Sequence, residues 1–325
     1  MESQRDFVGY ADHPPDIRWP GGERLAVNFV LNYEEGSEYS LEDGDGCSDA
    51  TLTEVAQPRV PRGDRDLAAE SMFEYGSRVG FWRICRLFRD RGLPLTVFAS
   101  ALALERNPAA AQAVADSDWD VVCHGRRWIE HYLLDEATER DEIARAFDSI
   151  HRLVGRPPEG WYCRYAPSPV TRKLLVEHGG FTYDSDAYND ELPYWVQVED
   201  QPHLVVPYSL VTNDAKLVGS PLVTGRAFGE FLIDSFDELI SEAAVHPRMM
   251  SVGMHARILG HPGRIRGLHA FLAHIQDRDD LWVCRRGDLA AHWRAVVPPK
   301  DLPAGPPSGS SSWGWVPGPV SGGGC

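Results

Sequence analysis

Two adjacent carboxylates, Glu34 and Glu35, follow an apolar run at residues 25–31. Such a pair could supply a catalytic acid or base, or it could be loop charge that solvates the end of a strand. Successive side chains of an extended segment point in opposite directions, so one carboxylate would face a given pocket unless Gly36 lets the backbone turn. The residues alone leave both interpretations open.

Other polar groups that could do chemistry follow later apolar runs: His124, Arg164, Asp184, Asp186, Thr212, Asn213, Asp214, His255 and Arg257. Since the carboxyl ends of parallel strands share one face of a barrel, we expect these groups to form a single site. The alternatives are a structural histidine at His124 and a surface ion pair at Arg164. The aromatic residues and prolines around Arg164 favour a partly buried guanidinium that contacts a carbonyl or carboxylate.

Short apolar segments alternate with amphipathic ones between Leu25 and Val297. The predicted strands are 25–32, 94–100, 120–124, 160–163, 181–184, 203–209, 249–255 and 281–284. The predicted helices are 67–91, 108–117, 135–154, 169–178, 227–244 and 264–277, and the clearest of them has Asp135 as its cap and Gly155 at its end. This alternation predicts an α/β fold with a parallel sheet covered by helices, and the chain length favours a closed (β/α) barrel over two separate sheets.

The composition divides the chain into three parts. Residues 1–24 are predicted to be an N-terminal extension that packs on the barrel, residues 25–297 the barrel catalytic domain, and residues 298–325 a Pro/Gly/Ser-rich, disordered tail. Within the barrel, residues 34–66 have no periodicity and predict a long loop, which in a compact domain is usually functional or disordered.

Charge and cysteine usage exclude some classes of function. The net charge of −16 argues against a nucleic-acid-binding protein, because phosphate contacts need a basic surface. No apolar run is long enough to span a membrane, and the polar N-terminus shows no secretory signal. The six cysteines include no C-x-x-C pair, so reduced thiols in a cytoplasmic protein are the simplest interpretation.

Several blocks together resemble the polysaccharide deacetylase (NodB-homology) superfamily, and more closely its branch of cofactor-independent allantoinases. The blocks are "FVLNYEEG", "ESMFEYGSRVGFWRI", "CHGRRWIEH", "GWYCRY", "GGFTYDSDAYNDELPYW", "PHLVVPYSL" and "SVGMHARILGHP". The resemblance covers nearly the whole chain and implies a distorted (β/α)7 barrel of the deacetylase type. It also implies a homo-oligomer, with a tetramer as the expected state.

The resemblance also bears on metal binding. Deacetylases of the superfamily carry two adjacent aspartates and two histidines spaced H-x-x-x-H, which supply a base and the metal ligands. Here Glu34 and Glu35 match the acidic positions and His124 matches the first histidine, but Trp128 stands at the second. An indole offers no lone pair to a metal, and His131 has the wrong spacing to replace it. We therefore expect no catalytic metal and no other cofactor.

The activity implied by the branch is hydrolysis of the hydantoin ring of allantoin, or of a similar ureide, to the open-chain acid. This chemistry needs a base for water, a stabiliser for the oxyanion and an acid for the departing nitrogen. We assign the catalytic group to Glu34 or Glu35 as base, His124 as its helper and His255 as acid. We assign the substrate-binding residues as Trp128, Trp161, Arg164, Asp186 and Arg257.

Three alternatives remain open from the sequence. One is a carbohydrate N-deacetylase, which Trp128 and the lack of a secretion signal disfavour. Another is a barrel that has lost its chemistry and serves in binding or assembly. The third is an amidohydrolase for a different cyclic imide or ureide, since one or two pocket residues are enough to change the substrate.

Overall fold

A parallel sheet forms the centre of the molecule in the computed structural model, which describes residues 5–55, 59–219 and 224–299. Its strands in chain order are β1 Leu25–Tyr33, β2 Thr96–Ala99, β3 Asp120–Cys123, β4 Gly160–Trp161, β5 Tyr183–Asp184, β6 Tyr194–Val198, β7 Gln201–Val205, β8 Arg248–His255 and β9 Leu281–Cys284. Their order in the sheet is β6-β7-β5-β4-β3-β2-β1-β8, and β9 pairs with the first part of β1. Every pair is parallel except β6 with β7.

The sheet curls into a distorted barrel, which confirms the predicted α/β barrel fold. A parallel bridge between Asn213 and Gly253 joins the segment after β7 to β8, so the chain returns to the strand beside β1. The predicted strands are all present, although β4 and β5 have only two ladder residues each. The sequence analysis missed β6, an edge strand that pairs antiparallel and lies outside the strand–helix alternation.

Helices cover the outside of the sheet. Their bounds are α1 Leu67–Tyr75, α2 Phe81–Arg91, α3 Ala101–Arg106, α4 Pro108–Ala115, α5 Glu136–Val154, α6 Thr171–His178, α7 Lys216–Gly219, α8 Gly225–Glu242, α9 Ala256–Leu259, α10 Ile265–Ile275 and α11 Arg286–Val296. Asp135 caps α5 by accepting the backbone N–H groups of Ala137 and Thr138, and Gly155 ends it with φ of 78°, as the sequence predicts. The predicted helix 67–91 is instead two α-helices joined by a π-helix, Gly76–Gly80.

Apolar side chains pack on both faces of the sheet, which is why the strands appear as continuous apolar runs. Phe29 of β1 points outward and packs edge-on against Phe88 and Phe271. Val30 lies in the interior cluster with Phe98. Cys85, Cys123, Cys163 and Cys284 are free and buried.

The N-terminal segment lies against the last helix. Trp19 is 1% exposed, and its ring centroid lies 6.1 Å from that of Trp293 in α11. The indole N–H of Trp19 donates to the carbonyl oxygens of Arg24 and Arg248.

The predicted tail lies outside the described residues from residue 300 onward. Among the described residues, no helix has the length and apolarity needed to cross a membrane.

Candidate active site

Glu34 lies at the end of β1, where two histidines and an arginine converge on it. Its Oε1 is 3.1 Å from Nε2 of His124 and 3.6 Å from Nε2 of His255, and its Oε2 accepts a 2.7 Å hydrogen bond from Nη1 of Arg257. His124 follows β3, His255 ends β8, and Arg257 lies in α9. The structure therefore brings together four of the residues predicted from strand ends.

Glu35 points the other way. Its Oε1 accepts the backbone N–H of Arg257 at 3.1 Å, and its Oε2 accepts the backbone N–H of Glu34 at 3.2 Å. A Cβ at Gly76 would lie 2.4 Å from Oε1, so only glycine at this π-helix position leaves room for the carboxyl group. The backbone turns after the pair, because Gly36 has φ of 93° and Ser37 donates its N–H to the Glu34 carbonyl.

Opposite electrostatic environments separate the two carboxyl groups. Burial would raise the pKa of Glu34, but the positive charges of Arg257 and the histidines outweigh it and hold the pKa well below its usual range. Burial raises the pKa of Glu35, and the charge of Glu34 adds to this effect while Arg257 opposes it. Glu34 is therefore the ionised member of the pair, whereas the surroundings of Glu35 favour its neutral form.

His124 is fixed by its two ring nitrogens. Nδ1 lies 2.8 Å from the carbonyl oxygen of Tyr162, and the two rings stack at 5.0 Å. A carbonyl can only accept, so Nδ1 carries the hydrogen and donates it. Nε2 faces Oε1 of Glu34 at 3.1 Å, so the two contacts fix the orientation of the ring.

His255 is held by Asp214, a residue that the sequence analysis expected at the shared site but to which it assigned no role. Oδ1 of Asp214 is 2.6 Å from Nδ1 of His255, while Oδ2 accepts the backbone N–H groups of His255 and Leu259. Burial would lower the pKa of His255, but the carboxylates of Glu34 and Asp214 outweigh it and raise the pKa. The arrangement favours an imidazolium whose Nε2 side faces Glu34.

Trp128 lies between two guanidinium groups. The guanidinium carbon of Arg164 is 3.8 Å from the ring centroid and that of Arg257 is 4.8 Å from it, both within the range of cation–π attraction. Phe73 of α1 contacts Arg257 in the same way at 4.6 Å. Trp128 is therefore part of the site, beside Arg257.

Arg164 contacts the ring of Trp128, which separates it from Arg257 and Glu34. Each of its guanidinium nitrogens has an acceptor within the protein. Nη1 donates to Asp49 at 2.5 Å and to the Trp128 carbonyl, Nη2 donates to Thr51, and Nε is 3.0 Å from Glu130. Through Asp49 and Thr51, these bonds attach the long loop after β1 to Arg164. The contact of Arg164 with substrate stays a prediction.

The structure does not bring Trp161 or Asp186 to Glu34. Trp161 points outward from β4 and packs edge-on against His131 and Phe181. Asp186 accepts the backbone N–H of Cys163, and burial, followed by the charge of Asp184, raises the pKa of Asp186 to about 8. The alternation of side chains along a strand could have predicted this difference from the sequence. Neighbouring side chains point to opposite faces, so only one of Trp161 and Tyr162 can point into the barrel.

Comparisons with known proteins agree with the fold. A family model described as "Polysaccharide deacetylase" matches residues 64–183. A protein of Schizosaccharomyces pombe, named "Putative polysaccharide deacetylase", is 37% identical in an alignment 320 positions long that covers 92% of this chain and 100% of that protein. The chain belongs to the polysaccharide deacetylase family. It is a deacetylase-family hydrolase.

Two solved structures of this type are similar to the chain over nearly its full length. One is the Puue allantoinase, with 41% identity, a TM-score of 0.88, and coverage of 92% of this chain and 100% of that one. The other is described as a "probable Polysaccharide deacetylase" from Pseudomonas aeruginosa PAO1, with 42% identity, a TM-score of 0.87, and coverage of 91% and 99%. Since the two structures are almost equally similar to the chain, overall likeness does not choose between these activities.

The polysaccharide deacetylase family implies a metal, and the residues present do not fit one. Trp128 stands where the motif has its second histidine, and the guanidinium of Arg257 already occupies Oε2 of Glu34. Within the described ranges, no group of three His, Cys, Asp or Glu side chains is arranged to hold a metal ion. No step below is derived through a metal.

Proposed function

We propose that this protein hydrolyses the ring amide of a five-membered cyclic ureide, with allantoin as substrate and allantoate as product. The observation that carries the proposal is the convergence on one ionised carboxylate, Glu34, of two histidines and an arginine in a buried site. This single cluster holds a base, an acid and a cation, which are the three groups that amide hydrolysis requires. The similarity to the Puue allantoinase supports the choice of substrate.

The proposed reaction uses the residues as follows. Glu34 accepts a proton from water as the water oxygen bonds to the ring carbonyl carbon, and the carbonyl π electrons move onto the oxygen. When that electron pair returns, the C–N bond breaks and His255 gives its proton to the departing ring nitrogen. Water is thereby added across the amide, and the product is a carboxylic acid with a ureido group. The acid ionises by releasing its proton to solvent, and the proton taken up by Glu34 returns to His255. Asp214 holds His255 for this transfer, and Glu35 is occupied by backbone donors.

The second candidate function is carbohydrate N-deacetylation, which family membership favours. In the family, that reaction depends on the two histidines of the H-x-x-x-H motif, which help to hold the metal. Here Trp128 stands in place of the second histidine, and the guanidinium of Arg257 is the cation beside Glu34. The cluster therefore favours the cyclic ureide.

The test is an assay of purified protein against allantoin, with and without a strong chelator, that measures the open-chain acid. N-acetylglucosamine oligomers and a second cyclic ureide, hydantoin, are assayed in parallel. We expect allantoate at the same rate in both conditions. Turnover of acetylated sugars without allantoin turnover would favour the second candidate, and loss of allantoin turnover on chelation would contradict the metal-free proposal.

A further inference from the structure

One nitrogen of Arg257 has no partner although it is buried. Nε donates to the carbonyl oxygen of Leu52 at 3.1 Å, and Nη1 donates to Glu34 at 2.7 Å and to Glu35 at 3.5 Å. Nη2 makes no hydrogen bond to the described residues, and the side chain as a whole is only 3% exposed. Two N–H donors therefore lie inside the Glu34 cluster without an acceptor.

Such donors are costly to leave unmatched. An unsatisfied buried polar group keeps the full cost of its lost hydration, and a charged one costs more, so most buried donors in folded proteins have partners. The other buried nitrogens without a partner in the described part of the chain, including those of Trp161 and Trp293, lie outside the Glu34 cluster. A ligand oxygen placed beside Glu34 would satisfy Nη2, since donors aimed at developing negative charge are strongest in a site that excludes water.

We propose that Nη2 of Arg257 donates hydrogen bonds to the oxygen of the attacked ring carbonyl and stabilises the oxyanion, so that this guanidinium supplies the electrophilic role that a metal has in the family's motif. The inference rests on the proposed function and deepens it. Arg257 gives up no proton, because a guanidinium stays protonated in proteins. It binds the oxygen while the carbonyl electron pair resides there, and it keeps the same oxygen when the pair returns and forms the product carboxylate.

Trp128 is a positioning residue in this arrangement. Its ring and that of Phe73 lie against the guanidinium, and its other contact, Arg164, is tied to the loop by Asp49. The packing fixes the plane of Arg257, so that Nη1 stays on Glu34 while Nη2 in the same plane keeps no protein partner. A histidine at position 128 would not provide the same aromatic surface.

The decisive variant is Arg257→Lys, which keeps a positive charge against Glu34 but has no second nitrogen for the substrate. We expect kcat for allantoin to fall roughly 10²–10³-fold with KM changed less than about threefold, because an oxyanion donor acts mainly in the transition state. Arg156→Lys is the matched control, since Arg156 donates to backbone carbonyls of Val114 and Ala115 away from the site. It should retain full activity. Circular dichroism verifies that each variant is folded.

Arg257→Ala provides a second measurement. Millimolar guanidinium should raise the kcat of Arg257→Ala at least about tenfold. Methylammonium should not, because only guanidinium offers a second pair of N–H donors. Trp128→Phe should lower kcat while Arg257 is present. In the double variant Trp128→Phe, Arg257→Ala, guanidinium should still raise kcat as it does in Arg257→Ala. Titration of the product allantoate by calorimetry adds a readout independent of turnover, with weaker binding expected in Arg257→Lys.

The outcomes separate the two proposals. If wild-type protein hydrolyses allantoin and folded Arg257→Lys keeps kcat within about threefold, the oxyanion role is wrong and the proposed function stands. If Arg257→Lys does not fold, failure of guanidinium to rescue Arg257→Ala overturns the inference. If wild-type protein neither turns over nor binds a cyclic ureide or its open-chain acid, the proposed function fails and the inference fails with it.

Discussion

Glu34 and Glu35 are neighbours in the chain with different surroundings. Glu34 faces His124, His255 and Arg257. Glu35 faces backbone N–H groups and Gly76, with a longer contact of 3.5 Å to Arg257. The positive groups hold Glu34 ionised despite its burial, whereas burial raises the pKa of Glu35. A pair of carboxyl groups whose pKa values are moved apart is a common way to separate catalytic tasks.

Glu34→Gln and Glu35→Gln form a matched pair that tests this difference. Glu34→Gln should lower kcat roughly 10²–10⁴-fold, because the ionised carboxylate that faces both His124 and His255 is lost. Glu35→Gln should cost less than about tenfold, since an amide resembles the protonated carboxyl group that the site already tolerates. Steady-state kinetics on allantoin measures both. Equal losses, or a larger loss for Glu35→Gln, would contradict the assignment of Glu34 as base.

Asp214→Asn tests the acid. Activity that needs protonated His255 falls as the pH rises through the pKa of His255, which Glu34 and Asp214 raise. Removal of the Asp214 charge lowers that pKa, so the alkaline limb of the kcat profile should move to lower pH, with kcat reduced roughly 10²-fold. Asp280→Asn, at a surface ion pair with Arg278, is the control and should leave the profile in place. An unmoved alkaline limb in Asp214→Asn would remove His255 from the acid role.

At the scale of elements, the site depends on where strands end and where a helix changes its winding. Strands β1, β3 and β8 deliver Glu34, His124 and His255 to one end of the barrel. The π-helix Gly76–Gly80 between α1 and α2 brings a glycine against Glu35. Single turns of π-helix frequently occur at functional sites.

Gly76→Ala tests that contact. Gly76 has an ordinary helical φ of −56°, so alanine suits the backbone, and the cost comes only from the 2.4 Å approach to Oε1 of Glu35. We expect the free energy of unfolding to fall by about 1–3 kcal/mol, as for other overpacked sites, with a lower kcat because Glu35 supports Arg257. Gly263→Ala is the control, since nothing lies within 4 Å of its Cβ position. A stability of Gly76→Ala equal to wild type in urea unfolding would show that Glu35 has room to move.

At the scale of the whole molecule, the barrel is completed by segments distant from the site. Residues 5–24 reach the barrel through Trp19, which lies among Trp282, His292 and Trp293. A large aromatic side chain buried against a helix contributes several kcal/mol to stability. This contact is therefore expected to affect folding and not chemistry.

Trp19→Ala should lower the free energy of unfolding by about 3 kcal/mol and leave kcat on allantoin unchanged within about twofold. Phe7→Ala in the same segment is the matched control, because Phe7 is 78% exposed and a surface change of this kind costs less than about 0.5 kcal/mol. Denaturant unfolding measures both values. A stable Trp19→Ala protein would contradict a role for the N-terminal segment in holding the barrel.

The predicted tetramer is a separate property, and sedimentation analysis of wild-type protein measures it.

The order of elements and the strand-end location of Glu34, His124, His255 and Arg257 follow from the sequence, because apolar periodicity and caps are encoded in neighbouring residues. Only the tertiary structure decided which carboxylate faces the histidines, that Asp214 holds His255, that Trp161 points outward and that Arg257 keeps an unpartnered nitrogen. These facts depend on contacts between residues far apart in the chain, such as His124 with Glu34 at a separation of 90 residues and Arg257 with Glu34 at 223. Local pattern fixes an element and the face that it buries, but the partner of a side chain is set by the packing of the whole barrel.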